Sequence, residues 1–146
     1  MGFELDHSVN VAAPADIVWR LLIDPSSWSG WWRDCLDAQS RDLRNLREGS
    51  ELSLTVQPKH MRMTFEPRVD LMIEQKTLSM SHRSALVQAS LSWYLGASEM
   101  GTRVQARVVF AGLWSNVMGL TRQKDAVHFA VHSNLRDLKK VAERLT

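Results

Sequence analysis

The chain is poor in the residues that mark several classes of protein. Its 146 residues include one cysteine, four prolines and seven glycines. The single cysteine, Cys35, excludes an internal disulfide and fits a reducing compartment. Collagen-like and disordered chains are also excluded, because 45% of the residues are hydrophobic and 23% are charged.

Long apolar runs are missing as well. No run approaches the roughly 18 residues of a membrane-spanning helix, and residues 1–6 lack the basic and apolar regions of a signal peptide. We therefore expect a cytoplasmic protein that does not insert into a membrane.

Charge of one sign is nowhere concentrated. The 18 Lys and Arg residues are nearly balanced by 16 Asp and Glu residues, and Asp42 interrupts the most basic segment, 41–47. This distribution argues against a nucleic-acid partner. The sequence also has no Gly-rich phosphate loop, no nucleophile elbow and no evident pair of carboxylates. We accordingly predict no cofactor.

The length and the hydrophobic periodicity predict one domain, 1–146, with strands followed by a long helix. Residues 3–11 alternate as a strand with one wet face, and His7 is the polar member of the apolar set. A helix starting near Pro14 ends at Pro25, and the Trp-rich segment 28–32 predicts a second short helix.

The remainder predicts an antiparallel sheet and one long helix. Strand patterns occupy 51–56, 60–66, 71–82, 85–95 and 104–110, with a hairpin turn at Met100-Gly101. Apolar residues from Val117 to Leu145 recur at helical spacing, with Lys124 as the polar member, which predicts a helix roughly 45 Å long. Such a helix can bury its apolar stripe by lying across a broad, curved sheet.

Four local sequences resemble the START-like (SRPBCC) superfamily. Val9–Asp24, "VNVAAPADIVWRLLID", looks like its opening strand and helix, and Trp28–Trp32 resembles the continuation. Glu99–Val104 is similar to the turn before its last strand, and Asn134–Lys139 to its helix end. The resemblance implies an α+β helix-grip fold, in which a curved antiparallel sheet wraps around a long C-terminal helix and two short helices follow the first strand.

Three functions remain open under this resemblance, because a fold does not fix a function. The leading hypothesis is a carrier, sensor or sequestering protein that binds a lipid- or polyketide-like hydrophobic or aromatic small molecule in an internal cavity. The second is a cyclase or dehydratase that uses His7 or His82 as acid and base. The third is an interaction protein of the chaperone-activator kind. We expect a monomer or a homodimer in each case.

The candidate ligand-binding residues are inward-facing or lie in the Trp-rich segment, and the competing interpretation is a filled core. For Trp31, a purely structural role as a plug of the core is at least as good an explanation as contact with a ligand. The candidates are Trp28, Trp32, Met63, Phe65, Leu91, Trp93, Ala106, Val108, Phe110 and Val131.

The histidines allow two interpretations. His7 and His82 share the parity of apolar neighbours, so each can orient a ligand or transfer a proton, although backbone carbonyls usually satisfy such histidines. His128 and His132 have the i, i+4 spacing that can chelate a metal, but the sequence shows no third ligand. We predict no metal site. Arg33 and Asp34, beside the tryptophans, can bind a carboxylate or pair with each other, and surface pairing is the default expectation.

Overall fold

A computed structural model describes residues 2–42, 44–85, 87–112 and 117–146. Two short 3-10 helices, Pro25–Ser27 and Pro58–His60, lie between the main elements. Those elements are, in chain order, β1 (Gly2–Val11), α1 (Ala15–Ile23), α2 (Trp28–Trp31), β2 (Cys35–Ser40), β3 (Leu52–Val56), β4 (Met63–Phe65), β5 (Arg68–Ile73), β6 (Thr77–Arg83), β7 (Val87–Ala97), β8 (Thr102–Gly112) and α3 (Val117–Arg144).

The strands form two antiparallel sheets that support one long helix. The larger sheet has the order β1-β8-β7-β6-β5, and the smaller has the order β2-β3-β4. The start of β3 is joined to the start of β5. Glu51 and Arg68 form a β-bridge there. The Leu52 N–H donates to the Pro67 carbonyl, and the Val69 N–H donates to the Ser50 carbonyl. The helix-grip fold predicted from the sequence is therefore confirmed.

Strand β1 shows how the alternation positions the sheet. Its inward side chains are partly or fully buried, as predicted, while its outward side chains meet polar partners on β8. The Arg107 guanidinium lies 2.6 Å from a Glu4 carboxylate oxygen, and the Gln105 amide donates to both oxygens of Asp6 at 2.9 Å. One face of the sheet therefore stays in water, and the other faces α3.

Helix α3 packs along the inner face against β1 and β8. At 1.5 Å per residue, its 28 residues span about 42 Å. The predicted stripe is buried at Val127, Val131, Leu135, Leu138 and Ala142. Lys124 and Leu145 are exposed, so the stripe does not extend to them, and the side chains of Val117 and Leu120 lie outside the described residues.

Two strand predictions need correction, and one strand was not predicted. The run 71–82 is two strands, β5 and β6, joined by a turn in which Gln75 has φ 60°. That turn lacks glycine, so no residue in the pattern indicated that the strand ends there. Strand β2 escaped prediction because a register shift between Cys35 and Asp37 disturbs its alternation. Strand β4 starts at Met63 because Lys59 and His60 take positive φ just before it.

Among the described residues, no helix combines the length and the apolar character needed to cross a membrane.

The β7–β8 turn depends on Gly101, as the sequence predicts. Its φ is +146°, and an added Cβ would lie 2.7 Å from the Ala13 oxygen and 3.0 Å from the Val11 oxygen. We expect Gly101→Ala to lower the free energy of unfolding by about 1–3 kcal/mol, because backbone strain and a clash with the chain between β1 and α1 would add.

Urea-induced unfolding followed by circular dichroism measures this effect. Gly96→Ala is the matched control, because nothing lies within 4 Å of its added Cβ. Equal unfolding midpoints for the two variants would contradict the interpretation.

Candidate ligand-binding cavity

A cavity lies between the inner faces of the sheets and helix α3. Its empty volume is about 700 Å³, part of which is open to solvent. The described residues that line it are mostly apolar: Trp32, Leu54, Val56, Met63, Phe65, Pro67, Met80, His82, Ala89, Ser90, Leu91, Ala106, Val108, Phe110, Val127, Ala130, Val131 and Asn134.

Most of the sequence-predicted ligand residues meet at this cavity. They come from α2's C-terminal end, from β4, β7 and β8, and from α3, which the fold brings around one space. The predicted residues in its lining are Trp32, Met63, Phe65, Leu91, Ala106, Val108, Phe110 and Val131.

Trp28 and Trp93 were also predicted to line the cavity, and the structure corrects this. Neither is among the described lining residues, and both side chains are fully buried. Their ring centroids are 5.8 Å apart, and the Trp28 ring lies 6.0 Å from that of Trp32. The Trp28 indole donates to the Leu21 carbonyl at 3.1 Å. The two rings therefore form a packed layer behind Trp32.

Trp31 has a supporting place in this cluster. Its ring stacks on Trp32 with 6.4 Å between centroids, and its indole nitrogen donates to the Ser27 hydroxyl at 3.1 Å. Trp31 is half-buried and is not among the described lining residues. These contacts support the core-plug interpretation of Trp31.

Sequence reasoning missed two polar groups at the cavity, although it named Trp32 as a ligand-binding candidate. The indole nitrogen of Trp32 and the Nδ2 of Asn134 are buried and have no hydrogen-bond partner among the described residues. Asn134 Oδ1 accepts a hydrogen bond from the Trp93 indole at 3.0 Å. Burial without a partner depends on three-dimensional packing, so no sequence pattern could have identified these donors.

The segment after Trp32 is fixed to helix α3. The Arg33 backbone N–H donates to Asp137 Oδ2 at 2.9 Å, and the Arg33 guanidinium lies 3.8 Å from Asp137 Oδ1. The predicted Arg33–Asp34 surface pair is therefore wrong, because Arg33 faces Asp137 and Asp34 is buried. Burial first, and then the charge of Asp137, raise the pKa of the Asp34 carboxyl, although nearby Arg33 and Arg136 oppose the rise.

His82 lies at the cavity with its protonation pattern fixed. Its Nδ1 accepts a hydrogen bond from the Glu66 backbone N–H at 2.9 Å, and its ring meets Phe65 edge-on at 5.4 Å. A neutral imidazole that accepts through Nδ1 carries its proton on Nε2. In this arrangement the His82 ring can donate a hydrogen bond through Nε2, while its Nδ1 lone pair is engaged by the Glu66 backbone.

His7 is not among the described lining residues, which corrects its predicted cavity position. It contacts the outer side of α3 instead: its Nε2 lies 3.2 Å from His128 Nδ1, and its ring centroid lies 5.6 Å from that of His132. The structure thus supplies a third histidine that the sequence did not reveal. Even so, no three groups in the described chain are arranged as metal ligands.

Burial, followed by the charges of His128 and His132, lowers the pKa of His7, while Asp6 opposes this effect. The single cysteine, Cys35, is buried, and that burial raises its pKa to about 11. Its thiol therefore stays protonated and unreactive at neutral pH.

The comparisons with known proteins agree with this geometry. The family model for polyketide cyclase / dehydrase and lipid transport matches residues 11–133. No curated protein matches the chain in sequence.

Solved structures show the same fold. The ZhuI aromatase/cyclase from a Streptomyces species has a TM-score of 0.83 and 19% identity, covering 99% of this chain and 95% of that one. A START superfamily protein from Mycobacterium smegmatis has a TM-score of 0.77 and 15% identity, covering 98% and 99%. The di-domain ARO/CYC StfQ has a TM-score of 0.81 and 12% identity, covering 99% and 52%. At these identities the likeness concerns the fold alone.

The histidine cluster predicts a pH dependence of stability. Because the pKa of His7 is lowered from 6.5 in the folded state, the unfolded chain binds more protons as the pH falls through 6.5. We expect the free energy of unfolding to fall as the pH is lowered below that value, and His7→Gln to weaken the dependence. Urea-induced unfolding in a pH series measures it.

The control is His60→Gln, which changes an exposed histidine outside the cluster and should keep the wild-type dependence. If His7→Gln and wild type lost stability equally on acidification, the assignment to His7 would be wrong.

Proposed function

The chain belongs to the polyketide cyclase / dehydrase and lipid transport family, and on that premise we propose that it binds a hydrophobic or aromatic small molecule in its internal cavity, as a carrier, sensor or sequestering protein. The proposal includes action in the cytoplasm as a monomer or homodimer. It also includes ligand contacts by the lining residues named above.

The observation that carries the proposal is the apolar cavity under helix α3. The space between the sheets and the helix is enclosed almost entirely by apolar side chains, which is typical of small-molecule sites. Rings of Trp32, Phe65 and Phe110 and the flexible side chains of Met63 and Met80 line it. Burying an apolar ligand there would be favourable by about 25 cal/mol per Å² of surface removed from water.

The lining favours binding over chemistry. Its described residues include one histidine, His82, and no carboxylate, lysine or arginine. His82 uses its acceptor nitrogen on the Glu66 backbone. Acid and base catalysis needs a group able to take a proton within reach of the substrate, whereas an apolar ligand needs shape and burial.

A cyclase or dehydratase activity is the second candidate, and the observation that favours it is the position of His82 beside Phe65 at the cavity. His7 does not support it, because His7 is held by His128. Chemical conversion of a bound compound by wild type but not by His82→Gln would favour this activity, as judged by the mass of the recovered compound.

The binding proposal is tested by native mass spectrometry of the gently purified protein. We expect an additional discrete mass that is lost on denaturation. Ala106→Phe should reduce the ligand-bound fraction by about tenfold or more, because Ala106 is 1% exposed and lines the cavity, so a ring there would occupy the ligand's volume.

Val109→Phe is the matched control, because Val109 lies on the outward face of the same strand and is 39% exposed. It should keep the bound mass. The proposal fails if Ala106→Phe retains the ligand like wild type. It also fails if wild type carries no ligand and takes up no added fluorene, a rigid aromatic hydrocarbon.

A further inference from the structure

Two buried N–H donors belong to residues that line the mostly apolar cavity. They belong to Trp32 and Asn134, which are 4% and 3% exposed, and neither donor has a partner among the described residues. We propose that these donors bind a carbonyl oxygen of the ligand, so that the cavity selects apolar aromatic ketones or quinones over hydrocarbons of the same shape. This inference rests on the proposed function and specifies its ligand.

The orientation of the Asn134 amide follows from its partner. The Trp93 indole can only donate a hydrogen bond, so the atom 3.0 Å from it must be the Asn134 oxygen. The amide nitrogen therefore keeps both of its hydrogens for another acceptor. Because Trp93 is fully buried, its hydrogen bond holds Asn134 in this orientation.

The position of Trp32 relative to Asn134 is fixed by the residue that follows it. Arg33 donates its backbone N–H to Asp137, which lies one helical turn beyond Asn134 on α3. Residues three apart on a helix share a face. The two donors thus come from neighbouring points of one contact between the end of α2 and α3.

The surroundings decide which acceptor fits. A buried N–H without a partner is unfavourable, so an oxygen that accepts from it gains more than it would in water. Both donors are neutral, and the described lining contains no lysine or arginine. A carboxylate would lose its hydration there without a counter-charge, whereas a carbonyl oxygen loses far less.

The test compares 9-fluorenone with fluorene, two flat compounds of similar shape that differ by one carbonyl. Isothermal titration calorimetry measures both affinities. We expect wild type to bind fluorenone about fivefold to tenfold more tightly than fluorene, which is the scale of one to two added hydrogen bonds.

Trp32→Phe keeps an aromatic ring in the wall and removes the N–H. We expect it to lower the fluorenone-to-fluorene affinity ratio about threefold, with fluorene affinity nearly unchanged. Asn134→Leu, a second variant, should lower the ratio by a similar factor. In each variant, fluorene binding shows that the cavity is still formed.

Trp31→Phe is the matched control. Its indole donates to Ser27 and stands outside the described lining, so the ratio should stay at the wild-type value. Fluorene binding with no preference for fluorenone would overturn the donor pair while leaving the proposed function intact. A preference that survives both Trp32→Phe and Asn134→Leu would overturn it as well. If neither compound bound, the donor pair would be overturned, and the proposed function would fail as well only if the purified protein also carried no ligand mass.

Discussion

The hydrogen bond from the Trp93 indole to Asn134 Oδ1 is the constraint on which the interior depends. It joins the middle of β7 to α3 at 3.0 Å, between two side chains that are almost wholly buried. Breaking it would leave a donor and an acceptor without water or partner, which is far more costly than the bond is strong. The bond therefore fixes where the helix crosses the sheet, and with it the depth of the space beside the crossing.

The parts of helix α3 before and after Asn134 have different surroundings. Before Asn134, the inward residues Val127, Ala130 and Val131 line the cavity. After it, Leu138 and Ala142 are completely buried in the packed core. The C-terminal part is also tied to the start of the chain, since Lys139 donates to the Asn10 carbonyl at 2.6 Å and Glu143 accepts from the Ala12 N–H at 2.8 Å. The same apolar stripe of α3 thus lines the cavity before Asn134 and packs in the core after it.

The sequence pattern predicted which side faces inward for the strands that it identified, and eight of the ten candidate residues lie in the described lining. It could not predict whether an inward side chain reaches the cavity or lies in a layer behind it. Trp93 has the same parity as Leu91, but the packing of Trp28 against it places Trp93 in a layer behind the cavity. His7 likewise faces inward, yet whether it meets the cavity or the helix depends on where α3 crosses. Pairings between distant residues such as Arg33 and Asp137 are likewise decided by packing, which one sequence does not reveal.

The tryptophan cluster also gives the protein an optical property. Trp93, Trp28, Trp32 and Trp31 form a chain in which neighbouring ring centroids are 5.8, 6.0 and 6.4 Å apart. At such separations indole rings can transfer electronic excitation to one another, so the energy absorbed by one of these four rings can pass to the other three. Trp32 is the member of this cluster in the described cavity lining, so a molecule in contact with it would alter the fluorescence of all four tryptophans. The intrinsic tryptophan fluorescence of the protein would therefore report whether a molecule occupies the cavity.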